Sequence, residues 1–221
     1  MRSEPYVTPE NIDRMTARWL AEVAATSRPR PWLRIDPPRC ALILTDMQRA
    51  FASPGGRAYL PATAAVIPGM ALLLEHWRSN GCAIVFTRHC HGESEDLGML
   101  GRFFTDHIRC GEEDSLIIPE LSPAPGEPVV LKNTYDAFHG TGLEECLRGA
   151  GATQVLVTGV LTQLCCETTA REAFVRGFEV YIAADATATS TEELHLGSLR
   201  GLASGVAVVM DTASILQAGD V

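Results

Sequence analysis

Two adjacent cysteines, Cys165 and Cys166, lie in GVLTQLCCETTAREAF (residues 159–174), where an apolar run gives way to helical spacing. A thiol attacks carbonyl carbon as its thiolate, and with a pKa near ~8.5 only a few per cent is ionised at neutral pH. A nearby cation and a helix N-terminus are the usual means of lowering that value. Lys132 closes the apolar run VVLK, and Asp46 closes CALILTD. An acid, a lysine and a thiol at the ends of three apolar runs are the parts of a nucleophilic acyl-transfer site. Helical phase separates the two cysteines. With Thr162 as N-cap and a helix over about 163–176, Cys166, Ala170, Ala173 and Phe174 recur at i, i+4, i+7 and i+8 as a buried stripe. Cys165 falls about 100° away with Thr169 and Glu172, in the first turn, where free N–H groups and the helix dipole favour an anion. The phase picks Cys165 as the reactive candidate and Cys166 as packing, although a cysteine at a helix start can also be purely structural.

The elements that must position these groups alternate regularly. Apolar runs CALILTD, CAIVFTR, VVLK, TQVLVTGV, FEVYIAAD and GVAVVMD are separated by helical patterns, among them residues 62–80, TGLEECLRGAGA and 191–204. Such alternation predicts parallel βαβ units with helices on both faces of one sheet. In these sheets ligands bind beyond the carboxyl ends of the strands. Those ends carry Asp46, Arg88, His89, Lys132, Gly159 to Cys165, Asp185 and Asp211. Residues 89–127 show no clear periodicity and are too long for a simple connection, which makes them a candidate binding loop or lid. Upstream, Thr8-Pro9-Glu10 reads as an N-cap, a first-turn proline and a first-turn acid. The helix it opens runs to about Ala25, and the proline-rich SRPRPWLRIDPPR follows. Residues 1–38 are therefore expected to form a helical arm, packed on its own chain or covering a neighbouring subunit, with the main domain at 39–221.

The 221 residues are 46% hydrophobic and 20% charged, with formal net charge −9. An acidic balance argues against nucleic acid and anionic membrane as partners. No apolar run approaches the roughly 20 residues of a bilayer span, and the polar N-terminus lacks a signal-type apolar core. A cytoplasmic protein is expected. The seven cysteines are scattered without CxxC pairs, so most are expected to be reduced fillers rather than disulfide partners.

Three blocks carry a resemblance: ALILTDMQRAF, VVLKNTYDAFHGTGLEECLRGAGATQVLVTGV, and GVLTQLCCETTAREAF with GFEVYIAADATAT. They resemble the isochorismatase-like cysteine hydrolases, the group of nicotinamidases, N-carbamoylsarcosine amidohydrolases, and ureidoacrylate and biuret hydrolases. The resemblance runs from about Cys40 to Asp211. It implies a three-layer α/β/α fold around a Rossmann-like six-stranded parallel sheet, with Asp46, Lys132 and Cys165 as the catalytic triad. It also implies a cis peptide at Val160–Leu161 and an oxyanion hole built from the backbone N–H groups of Leu161 and Cys165. The implied activity is hydrolysis of a C–N bond in a small amide, carbamoyl or ureido substrate through a Cys165 thioester. Asp46 would act as acid and base, with Lys132 as its electrostatic partner. Phe51, His89, His91, Tyr135, Phe138 and Gln163 are the candidate substrate contacts, and Arg88, Arg102 and Arg109 are candidate partners for a substrate carboxylate. Close relatives are commonly dimers or tetramers, so a homo-oligomer is expected.

The chain departs from the family pattern at one segment. Nicotinamidases carry a metal-binding acid and histidine soon after the first strand, whereas ASPGGRAYLPATAAV contains no Asp, Glu or His. His91 resembles the remaining histidine, and the set His89, Cys90, His91, His107 and Cys110 follows no zinc spacing. No metal or other cofactor is expected. Isochorismatases proper cleave a vinyl ether and typically lack the cysteine, so its presence favours C–N hydrolysis. Vinyl-ether hydrolysis by Asp46 alone, or a non-catalytic binding role on the same fold, are the alternatives.

Overall fold

The computed structural model describes residues 3–218. Six strands, β1 (Cys40–Thr45), β2 (Ile84–His89), β3 (Val129–Lys132), β4 (Gln154–Val160), β5 (Glu179–Ala188) and β6 (Ala207–Met210), form one parallel sheet in the order β3-β2-β1-β4-β5-β6. Every residue of β1 and β4 is buried, as continuous apolar runs between two helical layers require. The helices are α1 (Ile12–Thr26), α2 (Arg49–Ala52), α3 (Thr63–Ser79), α4 (Gly98–Phe103), α5 (Leu143–Gly149), α6 (Glu167–Val175), α7 (Glu192–Gly205) and α8 (Thr212–Ala218). The architecture is the expected three-layer α/β/α. Strand order reverses between β1 and β4, which places a ligand crevice beyond their carboxyl ends.

The N-terminal helix packs on its own chain, against α7 and β5. Trp19 is fully buried there, its indole N–H donating to Glu192 at 2.6 Å and its ring meeting His195 edge-on at 4.5 Å. The expected Thr8 cap is corrected. The Asn11 side chain accepts from Thr8 N–H and Asn11 N–H donates to Thr8 O, so residues 8–11 form a turn and the helix begins at Ile12.

Two further expectations are overturned. Phe174 is 50% exposed. One residue beyond Ala173 is another 100° of rotation, and the stripe facing the sheet is only as wide as Cys166, Ala170 and Ala173. Cys90 and Cys110 form a disulfide with Cα atoms 4.9 Å apart, while Cys40, Cys82, Cys146, Cys165 and Cys166 are free. Cysteines twenty positions apart carry no pairing signal in their spacing. Here the paired stretches His91 and Arg109 bring them together. Among the described residues no helix is long and apolar enough to cross a membrane.

Candidate active site

Asp46 follows β1, Lys132 ends β3, and Cys165 sits just past β4, so the sheet order alone gathers all three at one edge. The approach of β1 and β4 depends on Gly159, at φ 103°, where a Cβ would lie 2.0 Å from the Thr45 carbonyl oxygen. Only glycine permits both that backbone angle and that contact. Asp46 itself is held at φ 50°, a left-handed conformation that aspartate tolerates better than most residues and that recurs at functional sites. After the cis peptide at Val160–Leu161, residues Thr162–Cys166 form a π-helical turn before α6. Thr162 does not cap a helix. Its hydroxyl pairs with His195 Nδ1 at 3.0 Å, and its carbonyl accepts from Ser198 Oγ at 3.2 Å, so α7 fixes the turn that carries Cys165.

Lys132 Nζ meets Asp46 Oδ2 at 2.6 Å, Cys165 Sγ at 3.3 Å and Thr134 O at 3.0 Å. An ammonium has three N–H donors, and here each has a partner. The Asp46 Oδ1 atom accepts from the Thr87 hydroxyl at 2.6 Å. Oδ2 accepts no further hydrogen bond among the described residues. The pair is wholly buried, with Lys132 and Asp46 side chains 0% and 1% exposed. Burial favours neutral lysine, but the negative charge of Asp46, together with the hydrogen bonds to Asp46 and Cys165, more than offsets it and holds Lys132 charged. Burial also pushes the Cys165 thiol up. Lys132 opposes and Asp46 reinforces that effect, and the result is about 12. The expectation of a lowered thiol pKa is therefore corrected: burial, reinforced by the Asp46 carboxylate, outweighs the lysine. Cys166 is fully buried, and its thiol points back to Thr158 O at 3.7 Å.

Cys165 opens onto a cavity of about 570 Å³, within the size range of small-molecule sites. Of the candidate contacts, Phe51, His89, His91 and Tyr135 line it, together with Cys165 and Leu161 of the expected oxyanion hole. Phe138 and Gln163 do not. Phe138 is a core residue stacked near Phe178 with the Arg176 guanidinium over its ring, and Gln163 accepts from Thr189 Oγ1 at 2.5 Å. Arg88 donates to Ser115, Arg109 to Gly92, and Arg102 is exposed, so none of the three arginines reaches this cavity. The segment expected to be a lid forms much of the outer wall through Leu100, Phe104, His107 and Ile108. Its backbone is fixed at the Cys90–Cys110 disulfide and by Gln48, whose amide bridges His89 and Ser115.

Four contributors escaped sequence reasoning: Thr87, Arg57, Ser3 and Ser190. Thr87 stands one residue before the strand-end Arg88, a position where a hydroxyl beside an acid could have been noticed. The others line the cavity from loops remote in sequence, and no spacing signals them. Arg57 Nε meets Asp114 at 2.8 Å, Nη2 meets Glu112 at 2.6 Å, and Nη1 meets Asp106 at 3.2 Å and His107 O at 2.7 Å. Burial, followed by the Lys132 charge, lowers His89 to about 4. Burial also lowers His91. Among the described residues, no group of three His, Cys, Asp or Glu side chains is placed to hold a metal ion.

The isochorismatase domain model matches residues 40–214. The chain belongs to the isochorismatase family of hydrolases. It is 42% identical to nicotinamidase 3 of Arabidopsis thaliana over 174 residues, covering 77% of this chain and 84% of that protein. It is 31% identical to enterobactin synthase component B of Escherichia coli over 184 residues, covering 83% of this chain but only 64% of that protein. Among solved structures, a cysteine hydrolase from Pseudomonas syringae pv. phaseolicola superposes with a TM-score of 0.82 at 28% identity, covering 87% of this chain and 97% of that one.

Proposed function

We propose that this protein hydrolyses the C–N bond of a small, uncharged amide through a Cys165 thioester. The observation that carries the reading is the Lys132 ammonium, which touches Asp46 Oδ2 and Cys165 Sγ at once. The thiol proton passes to Oδ2 as sulfur attacks the carbonyl carbon. The negative charge then moves from an oxygen 2.6 Å from Nζ to a sulfur 3.3 Å from it. The ammonium stabilises both states without reorganising, which is how a preorganised site lowers a barrier. A thiol held near 12 makes this coupled transfer the route to the nucleophile, since almost none of it is ionised at rest. The backbone N–H groups of Leu161 and Cys165 are assigned to the carbonyl oxygen as it becomes an oxyanion. Asp46 returns the proton to the departing nitrogen, the C–N bond breaks, and the amine leaves. Asp46 then takes a proton from water, whose oxygen displaces sulfur from the acyl carbon. The acid departs and the thiol is restored, so one water is consumed per bond cleaved.

Charge in the cavity selects the substrate class. Arg57 is the cationic arginine among its described lining residues, and it is committed to three carboxylates, Asp106 among them. His89 and His91 are neutral at pH 7 because burial lowers both. A ureido acid or isochorismate would bring carboxylates with no uncommitted partner, and an unpaired buried charge is costly. Aromatic and apolar walls from Phe51, Phe104, Tyr135 and Leu164 suit a flat neutral amide. The 42% identity to a plant nicotinamidase puts nicotinamide first among candidates. The test is ammonia release from a panel of neutral amides and ureido acids. Turnover of neutral amides by the wild type, lost in Cys165→Ala, is the expected result. Turnover of a vinyl ether that survives Cys165→Ala would replace this reading with cysteine-independent hydrolysis by Asp46.

A further inference from the structure

The family domain begins at residue 40, yet one residue of the cavity wall, Ser3, lies far upstream of it. Residues 3–7 run beside the carboxyl end of β5 and are fixed at three points. Glu4 N–H donates to Ser190 O at 2.9 Å, Thr189 N–H donates to the Tyr6 hydroxyl at 3.2 Å, and Val7 is buried in the core. The Tyr6 ring packs beside the Trp19–His195 pair, with centroids 6.1 and 5.9 Å away. This docking brings Ser3 to the cavity alongside Ser190. Both hydroxyl oxygens are buried without a hydrogen-bond partner among the described residues. Buried polar groups are nearly always satisfied, so two unpaired hydroxyls on one wall of a substrate cavity point to a group that arrives with the ligand. The Nδ1 atoms of His89 and His91 are likewise unpaired, whereas the three N–H donors of the Lys132 ammonium all have partners.

We propose that Ser3 and Ser190 form a polar subsite for a hydrogen-bonding atom of the substrate outside its amide. The N-terminal segment thereby acts as a specificity element of the enzyme. The subsite takes an uncharged hydrogen-bonding atom, such as a ring nitrogen, a carbonyl or a hydroxyl, because hydroxyls donate or accept equally and no uncommitted cation accompanies them. The inference rests on the proposed role of Cys165 as the nucleophile facing this cavity.

The experiment uses the intact chain and two neutral electrophiles, chloroacetanilide and the chloroacetamide of aminopyridine, which differ by one ring nitrogen in place of a C–H. Each alkylates Cys165 as sulfur displaces chloride and the thiol proton passes to Asp46. Rates at Cys165 are followed by peptide mass spectrometry and divided by the rates with free glutathione. The wild type is expected to favour the pyridyl reagent by about five- to tenfold, the effect of one net hydrogen bond. Ser3→Ala and Ser190→Ala should each cut that preference to within about twofold while leaving the anilide rate unchanged. A preference that persists undiminished in both variants overturns the subsite. Alkylation of Cys165 no faster than of the half-exposed Cys82 would instead overturn the assignment of the nucleophile, so the two failures are distinct.

Discussion

The triad and the cavity wall differ in how their polar atoms are used. In the triad, every ammonium proton of Lys132 has a partner and Asp46 Oδ1 is bonded to Thr87. Along the cavity wall, Ser3 Oγ, Ser190 Oγ and the Nδ1 atoms of His89 and His91 are buried without partners among the described residues. Reaction chemistry calls for a rigid, satisfied network whose dipoles are set before substrate arrives. Recognition calls for groups whose desolvation is repaid only by a ligand that matches them. The contrast says which substitutions will stop the enzyme and which will only change what it accepts.

The largest effect is expected from Cys165→Ala, a loss of activity on the order of 10⁴- to 10⁶-fold. Cys166→Ala should keep activity within about threefold and cost about 1–2 kcal/mol for the small void left in the core. Equal losses in the two variants would erase the distinction between the neighbours. Next comes Lys132→Met, which leaves the Asp46 carboxylate buried and unpaired. It should reduce kcat by at least about 10³-fold and destabilise the fold by about 3–5 kcal/mol, read from turnover and a denaturant melt on the same sample. Gly159→Ala drives a methyl group into the Thr45 carbonyl and should cost about 2–4 kcal/mol, visible as a lowered Tm.

A subtler effect concerns acid. Burial lowers His195 to about 3 from its ordinary 6.5. Above pH 6.5 both folded and unfolded states hold it neutral. Between 6.5 and 3 only the unfolded state binds the proton, so stability falls as pH drops, by up to about 1.4 kcal/mol per pH unit. His195→Asn should flatten that slope in denaturant melts taken across the acid range. The smallest effect is expected at the edge of the comparison. Phe138→Leu, altered in the core rather than the cavity, should leave KM within about twofold and cost about 1 kcal/mol of stability.

What the sequence revealed and what it hid follow the same division. The six strands and the strand-end positions of Asp46 and Lys132 were legible because apolar runs and strand ends are local patterns. Helical phase separated Cys165 from Cys166 correctly as to burial face only for Cys166. Cys165 proved nearly as buried, at 6% exposure, inside a π-helical turn that ordinary helical spacing does not describe. The thiol's raised pKa left no trace in the sequence, because burial and the Asp46 carboxylate beside the sulfur arise only from the fold. The wall was legible only as the binding segment 89–127, not in the residues that meet it. Ser3, Arg57, His107 and Ser190 converge from four separate segments, and the Cys90–Cys110 pair closes a loop whose spacing matches no pattern. Tertiary proximity of isolated polar residues leaves no periodic trace.

The central claim is that Cys165 carries the acyl group. Mixing the enzyme with a turned-over amide, quenching in acid within the first turnovers and sequencing the peptide around residue 165 by tandem mass spectrometry tests it directly. The account predicts the substrate acyl mass on Cys165 and an unmodified Cys166. Steady turnover with no acyl adduct, together with full activity in Cys165→Ala, would contradict it.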